Sequence, residues 1–385
     1  MLSRATLVRF FRLGTHCPAR LAIVLLAAAL AACKQDSPPT QLTPHIVIDQ
    51  FGYLPGQTKI AVIRLPRHGF DNFQQFSVPQ ALCLYSWPEN NPYYCNSPNL
   101  VNNGIIDTSS GDITWHFDFS HITRQGHYYI ADNTQKVHTH FFEIGDTVYD
   151  QVLVQASRTF FYQRAGANKL PPFADERWKD RASHIKPGQD RNARRYLSKN
   201  NADSEKDLSG GWYDAGDYNQ YTSWTADYIT NLLHTYRETQ ALWLDDHNIP
   251  ESGNGISDLL DEILWGLAWL EKMQQPDGSM LSILGRDSES PPSSAEGPSY
   301  YGDANTSSTL TSAGTFAYAA AILAQNPKLK GRSEQLQKRA LKAWHWAQQN
   351  PDSTFKNNHK ASGTEGLGAG QQELLRDQED DVQRP

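Results

Sequence analysis

The sequence predicts two domains of unlike class, an all-β sandwich followed by an all-α domain, and two observations support this prediction. Between residues 45 and 146, short apolar stretches alternate with turn residues in the period-two pattern of β-strands. After residue 146, apolar residues recur every three or four positions, which is typical of amphipathic helices. Ahead of both lies the apolar run Leu21–Ala32, which is too short to cross a bilayer as a mature helix.

The composition excludes some classes of function. The chain has 385 residues, with 35 Lys and Arg against 42 Asp and Glu and a formal net charge of −7. This acidic balance argues against nucleic acid as a main partner. A hydrophobic fraction of 39% is enough to build a core, which excludes wholesale disorder. The 10 Trp, 17 Tyr and 15 Phe suit either a core or the stacking of aromatic rings on sugars.

The N-terminus has the features of an export signal. Residues 1–32 carry four Arg and no acidic residue, and they end in an apolar run. The sequence Leu30-Ala31-Ala32-Cys33 resembles a bacterial lipobox, so Cys33 is predicted to carry lipid; an ordinary signal peptide is the alternative. Residues 33–43 are predicted to be a tether. We therefore expect an exported protein, lipid-anchored to the bacterial cell envelope at the outer membrane or its periplasmic face.

The predicted β-domain covers residues 44–146. Its six predicted strands are Ile46–Ile48, Ile60–Ile63, Ala81–Tyr85, Thr114–Phe119, His127–Ile130 and His140–Ile144. Six short strands over about a hundred residues, separated by turn signals, fit a β-sandwich. Cys83 and Cys95 lie in this domain, and a disulfide between them is predicted because an exported protein folds in an oxidising compartment. No His pair at ligand spacing accompanies them, so they make a poor metal site.

Five helices are predicted after residue 146, and they are Tyr149–Arg164, Tyr221–Thr235, Ile256–Met273, Thr306–Gln325 and Ser333–Gln349. The third has the clearest period, with Asp258 and Asp261 near its start and Lys272 near its end, as the helix dipole favours. Pro327 and Pro351 end the last two helices, since proline cannot continue a helix.

The most informative stretch reads Gly-Gly-Trp-Tyr-Asp-Ala-Gly-Asp-Tyr. Asp214 and Asp217 are three residues apart, and the small residues between them allow a tight turn that directs both carboxylates to one point. Such a pair could polarise a water molecule, and mutual repulsion would raise one pKa, as a general base requires. Trp212, Tyr213 and Tyr218 could line a sugar subsite. An Asx turn that caps a helix, or a calcium loop, would explain the same spacing without catalysis.

This stretch resembles the signature of glycoside hydrolase family 9, the cellulase family. Val47–Pro55 resembles the opening of the N-terminal immunoglobulin-like domain in one branch of that family. Further resemblances follow in order at Phe160–Gly166, Asn254–Glu262 and Tyr301–Thr306. The resemblance implies an immunoglobulin-like β-sandwich over residues 44–146, followed by an (α/α)6 barrel.

The resemblance also implies a mechanism, which is inverting hydrolysis of β-1,4-glucan. Asp217 would be the general base, and Asp214 would help to position the water. An inverting enzyme also needs a general acid, which the family takes from a late barrel helix without a match here. Residues 147–373 are therefore expected to be the N-terminal part of an incomplete barrel, and residues 374–385 a charged, non-homologous tail. We expect impaired or absent activity and a frameshift or premature stop; a naturally shortened domain is the alternative.

Metals and substrate are less determined. Many relatives in this branch carry a structural zinc ion bound by Cys and His, but Ala165 occupies one ligand position, so no zinc is expected although His184 remains. Calcium binding by the acidic loops stays open, and no cofactor is required for the reaction. Two other functions stay open as well. One is an exo-β-glucosaminidase acting on chitosan oligosaccharides, and the other is a non-catalytic surface lipoprotein that binds glycan.

Overall fold

The structure is a computed structural model, and the residues that it describes are 39, 41–215, 218–286 and 289–355. Several predicted features therefore lie outside the described residues: the signal over residues 1–32, the lipidated Cys33, the general base Asp217, and the tail over residues 374–385. Among the described residues, no helix combines the length and the apolar character that crossing a bilayer requires.

The chain divides into two compact units, the first ending at Val152 and the second beginning at Leu153. The ten strands of the first unit are β1 (Gln41–Leu42), β2 (Ile46–Val47), β3 (Ile60–Pro66), β4 (Leu82–Trp87), β5 (Pro92–Asn96), β6 (Asn99–Leu100), β7 (Asp112–Asp118), β8 (Gly126–Asp132), β9 (Val137–His138) and β10 (Phe142–Ile144). One sheet has the order β1-β9-β8-β4-β5, with β10 also paired to β8, and the other has the order β2-β3-β7-β6. This is the β-sandwich that the alternating pattern predicts.

The core of the sandwich contains side chains from both sheets. Ile63 on β3 and Phe117 on β7 come from one sheet, and Leu84 on β4 and Ile130 on β8 come from the other. Along β3 and β4, buried residues alternate with less buried ones. This is the burial pattern of strands with one face towards a core, and it explains why the sequence identified them.

Strand β5 is not among the predicted strands, because its residues are mostly exposed and lack an apolar alternation. It pairs in antiparallel register with β4, which places Cys83 directly opposite Cys95. The two cysteines form a disulfide in the structure. The predicted bridge therefore links two neighbouring strands rather than two distant parts of the domain.

The helical part of the chain contains α1 (Asp150–Gln163), α2 (Thr222–Glu238), α3 (Asp258–Met273), α4 (Thr306–Leu323) and α5 (Lys330–Gln349). Each corresponds to one of the five predicted helices. Helix α4 packs against both α2 and α5, and α3 packs against α2. Five described helices, where a closed (α/α)6 barrel has twelve, agree with the incomplete barrel that the sequence predicts.

Helix α3 shows why these segments are helical. Its first turn contains Asp258 and Asp261 and its last turn contains Lys272, so charges of both signs complement the helix dipole. One face enters the core of the helical unit, with side chains no more than 2% exposed at Leu260, Ile263, Leu267 and Leu270. Burial of each such side chain contributes about 1.5–3 kcal/mol, which makes α3 a rigid support for the loop that packs on it.

A small sheet inside the helical unit was not predicted. Its strands are β11 (Arg194–Arg195), β12 (Gln220–Tyr221), β13 (Ile283–Gly285) and β14 (Tyr300–Tyr301), in the order β11-β14-β13-β12. Gln220 lies opposite Leu284, and Tyr221 lies opposite Ile283, in an antiparallel pair. The sheet therefore pairs residues 220–221, which follow shortly after residues 216–217, with residues 283–284, which are distant in the sequence.

Candidate active site

The loop that carries the two acids begins at a glycine that no other residue can replace without strain. Gly211 has a φ of +73°, and an added Cβ would lie 2.6 Å from the Trp269 ring. Its carbonyl accepts hydrogen bonds of 2.8 Å from the Ala165 N–H and from Trp265 Nε1. These contacts fix the start of the loop between the chain that follows α1 and the surface of α3.

Trp212 is a packing residue in the structure. It is 2% exposed, and its Nε1 donates a 3.3 Å hydrogen bond to Glu262 Oε2. Its ring lies against Gly266 on α3, where an added Cβ would overlap the indole. The structure thus corrects the expectation that Trp212 lines a sugar subsite, because its ring has no exposed face to offer.

Tyr213 requires the same correction. It is 3% exposed, and its hydroxyl is hydrogen-bonded to Ser183 Oγ and, at 2.6 Å, to His184 Nδ1. Burial raises the pKa of Tyr213 well above that of a free tyrosine, so the hydroxyl stays protonated. The residue joins the loop to the segment around His184 instead of contacting substrate.

Asp214 is half-buried and held at two points. Its Oδ1 accepts a 2.6 Å hydrogen bond from the Tyr228 hydroxyl on α2, and its N–H donates to the Asn219 carbonyl at 3.0 Å. Burial, and then the hydrogen bond to Asp214, raise the pKa of Tyr228, which keeps that hydroxyl a donor. The carboxylate is therefore oriented by a charge-assisted hydrogen bond from a neighbouring helix.

The chain on either side of residues 216–217 is closely held. The Tyr218 N–H donates to the Ala215 carbonyl at 3.2 Å, and Tyr218 has a φ of +56°, a left-handed conformation that is uncommon for an aromatic residue. Tyr218 is half-buried, and its ring centroid lies 5.1 Å from that of Tyr213. Of the three aromatic residues assigned to a sugar subsite, Tyr218 alone keeps an accessible surface.

A buried ion pair supports the residues that follow. Arg286 and Asp190 have side chains 0% and 1% exposed, and they are joined by a hydrogen bond of 2.6 Å between Nη2 and Oδ2. Arg286 Nη1 also donates to the Tyr218 carbonyl at 3.1 Å. The pair cannot be recognised in the sequence, because its members are 96 positions apart and neither belongs to a recognisable motif.

A second buried arginine supports the other end of the loop. Arg164 lies between Glu262 and Glu251, with nitrogen–oxygen distances of 3.0 and 2.9 Å. Burial raises the pKa of Glu262, while the charge of Arg164 opposes that shift. Because Glu262 also accepts from Trp212, the loop is supported by an arginine–carboxylate pair on each side.

Three carboxylates form a separate cluster near the start of α3. Oxygen atoms of Asp245, Asp258 and Asp261 lie within 4.8 Å of one another. Asp258 is 1% exposed, and its Oδ1 has no hydrogen-bond partner. Burial raises the pKa of Asp261 to about 7. An all-oxygen cluster with a buried, unsatisfied carboxylate atom has the chemistry of a site for a hard divalent cation.

Two family comparisons cover most of the chain. Residues 149–374 match glycosyl hydrolase family 9, and residues 41–136 match the cellulase N-terminal ig-like domain. The first match covers more than half of the chain. It includes the loop with Asp214 and Asp217 and the helices around it.

Curated relatives extend these matches. A cellulose 1,4-β-cellobiosidase of Acetivibrio thermocellus is 27% identical over 267 residues, which cover 63% of this chain and 28% of that protein. A xyloglucan-specific endo-β-1,4-glucanase of Bacteroides ovatus is 28% identical over 362 residues, which cover 87% of this chain and 55% of that protein. The chain thus spans about half or less of the length of these relatives.

Solved structures share the fold. A metagenome-derived glycoside hydrolase family 9 endoglucanase superposes with a TM-score of 0.70 at 26% identity, covering 84% of this chain and 57% of that chain. A family 9 structure from Bacteroides ovatus also has a TM-score of 0.70, at 25% identity, and covers 82% of this chain and 55% of that chain. From the sequence match over residues 149–374 and this shared fold, the chain belongs to glycosyl hydrolase family 9.

Proposed function

We propose that this protein acts on β-1,4-linked glucan by inverting hydrolysis. Asp217 takes a proton from water while the water oxygen bonds to the anomeric carbon and the bond to the leaving oxygen breaks. Asp214 holds the same water. The observation that carries the proposal is the hydrogen bond from Tyr228 to Asp214, which orients a half-buried carboxylate in the loop that contains Asp217.

The names of the relatives support glucan as the substrate class. The matches include a cellobiosidase, a xyloglucan-specific endoglucanase and a cellodextrinase, and their names all refer to β-1,4-glucans or their oligosaccharides. Tyr218 is the residue of the loop that we assign to contact with a sugar, because it is half-buried and next to Asp217.

We further propose that the chain is impaired on natural glucan. The resemblance assigns no residue of the sequence as the general acid, and an alkoxide leaving group departs slowly unless it is protonated. A fluoride leaving group needs no such protonation. The chain should therefore hydrolyse β-cellobiosyl fluoride while it hydrolyses cello-oligosaccharides slowly or not at all.

This proposal is tested with the full chain and three substrates: β-cellobiosyl fluoride, cellohexaose and glucosamine oligosaccharides. Fluoride release with formation of the α-anomer supports the proposed mechanism. Turnover of the glucosamine oligosaccharides alone would favour an exo-β-glucosaminidase. Binding of cellohexaose without turnover of any substrate would favour a non-catalytic glycan-binding lipoprotein and would contradict the enzyme proposal.

We also propose that Asp245, Asp258 and Asp261 bind Ca²⁺. The absence of zinc stays a separate prediction, because Ala165 offers no ligand atom. The support is the convergence of three carboxylates and the unsatisfied Asp258 Oδ1. About 1 mM Ca²⁺ added to chelator-treated protein should raise Tm by about 5 °C.

Two variants test the calcium proposal. Asp258→Asn should abolish the rise in Tm that Ca²⁺ causes. The same rise should persist in Asp246→Asn, which removes an exposed acid next to the cluster in the sequence. An unchanged Tm in the parent, or an equal loss of the effect in both variants, would contradict a cation site at this cluster.

The proposed location is the bacterial cell envelope, with lipid on Cys33 as the anchor. The support comes from the sequence: the apolar run over residues 21–32 and the lipobox-like residues that end it. A surface-anchored enzyme would act on polysaccharide or oligosaccharide outside the inner membrane.

A further inference from the structure

Arg286 is a buried cation that the proposed reaction does not use. Its side chain is 0% exposed, so it cannot touch a polysaccharide. Its nitrogen atoms instead donate to Asp190, to Gln220 Oε1 at 2.5 Å and to the Tyr218 carbonyl at 3.1 Å. A single guanidinium thus links a carboxylate to two residues near the end of the segment 211–220, which carries Asp214 and Asp217 and is called the catalytic loop below.

These contacts engage three consecutive residues that follow Asp217. The side chain of Arg286 reaches Tyr218 and Gln220, while its main-chain N–H donates to Asn219 Oδ1 at 2.8 Å. Gln220 in turn donates from Nε2 to the Gly210 carbonyl at 2.9 Å. The end of the loop is therefore tied both to Arg286 and to the start of the loop.

Asp190 holds the guanidinium in place. Its two carboxylate oxygens accept from Arg286 Nε at 2.9 Å and from Nη2 at 2.6 Å, and Oδ1 also accepts from Ser299 Oγ at 2.6 Å. This is the bidentate geometry in which an arginine fork is fixed in direction as well as in position. The remaining Nη1 is then directed at the Tyr218 carbonyl.

The backbone at Tyr218 needs such support. A φ of +56° is unfavourable for a residue with a Cβ, and it persists only where surrounding contacts over-determine it. The hydrogen bond from Arg286 Nη1 acts on the carbonyl of this residue. Holding Tyr218 in this conformation sets the direction of the chain into residues 219 and 220.

Stability alone does not explain the ion pair. A buried ion pair contributes little net stability compared with apolar residues of similar volume, because removing two charges from water is costly. Apolar residues, however, cannot donate directed hydrogen bonds to Tyr218 and Gln220. We propose that Arg286, held by Asp190, is a positioning residue for the reaction: it fixes residues 218–220, which directly follow the proposed base Asp217 in the sequence. This inference rests on the proposed function of Asp217.

Three variants of the full chain test this role. Arg286→Lys keeps the charge that compensates Asp190 but replaces the fork with one nitrogen, which cannot reach all the acceptors. Combined Asp190→Leu and Arg286→Met removes both charges together and leaves no buried ion unpaired. The matched control is Arg195→Lys, which alters the bidentate pair of Arg195 with Asp303 at the surface of the same unit.

Two measurements are made on each variant: kcat and KM for β-cellobiosyl fluoride, and hydrogen exchange of the peptide amides. In both Arg286 variants, kcat should fall about 100-fold while KM changes less than about threefold. Exchange over residues 212–222 should rise at least about tenfold while exchange in α3 stays unchanged. Arg195→Lys should leave both measurements within about twofold of the parent.

An unchanged kcat in both Arg286 variants would overturn the inference. An equal rise of exchange in α3 and in residues 212–222 would overturn it too, since the pair would then serve only general stability. If the parent does not hydrolyse the fluoride, the proposed function fails, and exchange over residues 212–222 alone decides whether Arg286 holds the loop.

Discussion

Tyr228 donates a 2.6 Å hydrogen bond from its hydroxyl to Asp214 Oδ1, across the 14 residues that separate the catalytic loop from the middle of α2. The contact connects a helix with a buried face to the Asp214 carboxylate and helps to orient it. It also leaves the Asp214 carboxylate as an acceptor, as its proposed role of holding a water for the proposed base Asp217 requires.

Removal of the Tyr228 hydroxyl should slow the reaction. A hydrogen bond to a charged group contributes about 1.5–3 kcal/mol, so Tyr228→Phe should lower kcat for β-cellobiosyl fluoride by about 10- to 100-fold. The matched control is Tyr236→Phe, which removes a hydroxyl from the same helix. Equal effects of the two variants on kcat would show that the hydrogen bond to Asp214 has no special role.

Two glycines on consecutive helices predict opposite effects of an alanine substitution on the free energy of unfolding. Gly266→Ala should lower the free energy of unfolding by about 1–3 kcal/mol, because the new methyl group would overlap the Trp212 ring. Gly314→Ala, on α4, should raise it by about 0.5–1 kcal/mol, since nothing lies near its Cβ position and alanine favours a helix. Denaturant unfolding measures both, and a stabilising Gly266→Ala would refute the packing of Trp212.

Asp261 predicts a pH dependence of stability. Burial raises the pKa of Asp261 in the folded protein to about 7, whereas the pKa of an exposed aspartate, as in the unfolded chain, is about 3.9. Between these values the folded protein keeps a proton that the unfolded chain has lost, so stability falls as pH rises from about 4 to about 7. In chelator, Asp261→Asn should remove part of this fall, on the order of 2–4 kcal/mol.

The control for this pH dependence is Asp246→Asn, which removes an exposed carboxylate from the loop that precedes α3. It should leave the slope of unfolding free energy against pH unchanged. If Asp261→Asn and the parent have the same slope over this range, the raised pKa is refuted.

Lipid attachment at Cys33 predicts partitioning into detergent. The full chain, expressed in a bacterium that processes lipoproteins, should enter the detergent phase and incorporate labelled fatty acid. Cys33→Ser should do neither. Cys17→Ser, within the predicted signal, should behave like the parent, and fatty-acid labelling of Cys33→Ser would contradict the assignment.

The sequence identified the helices because their apolar residues repeat over many positions. Helix α3 was expected to begin at Ile256 and begins at Asp258, and both the expectation and the structure end it at Met273. Strands with an apolar alternation were recognised for the same reason. The two-residue strands β11, β12 and β14 were missed, because so short a strand has no period and depends on distant partners.

Within the candidate site, the role of Asp214 stays a prediction, and the surroundings of its aromatic neighbours differ from the expectation. Trp212 and Tyr213 were expected to face a sugar, yet both are buried. An aromatic side chain next to an acid gives no indication of which way it points; that depends on the space left by Gly266 and on the hydrogen-bond partner His184. The support from Arg286 was likewise invisible, since it depends on a contact with Asp190 that only the fold creates.

The most direct test is the hydrolysis of β-cellobiosyl fluoride by the full chain and by Asp217→Asn, with the product anomer identified by proton NMR. The parent should release fluoride and form the α-anomer, and Asp217→Asn should be at least about 100-fold slower. Asp203→Asn, at an exposed position of the same unit, should match the parent. Equal rates for the parent and Asp217→Asn, or formation of the β-anomer by the parent, would contradict inverting hydrolysis with Asp217 as the base.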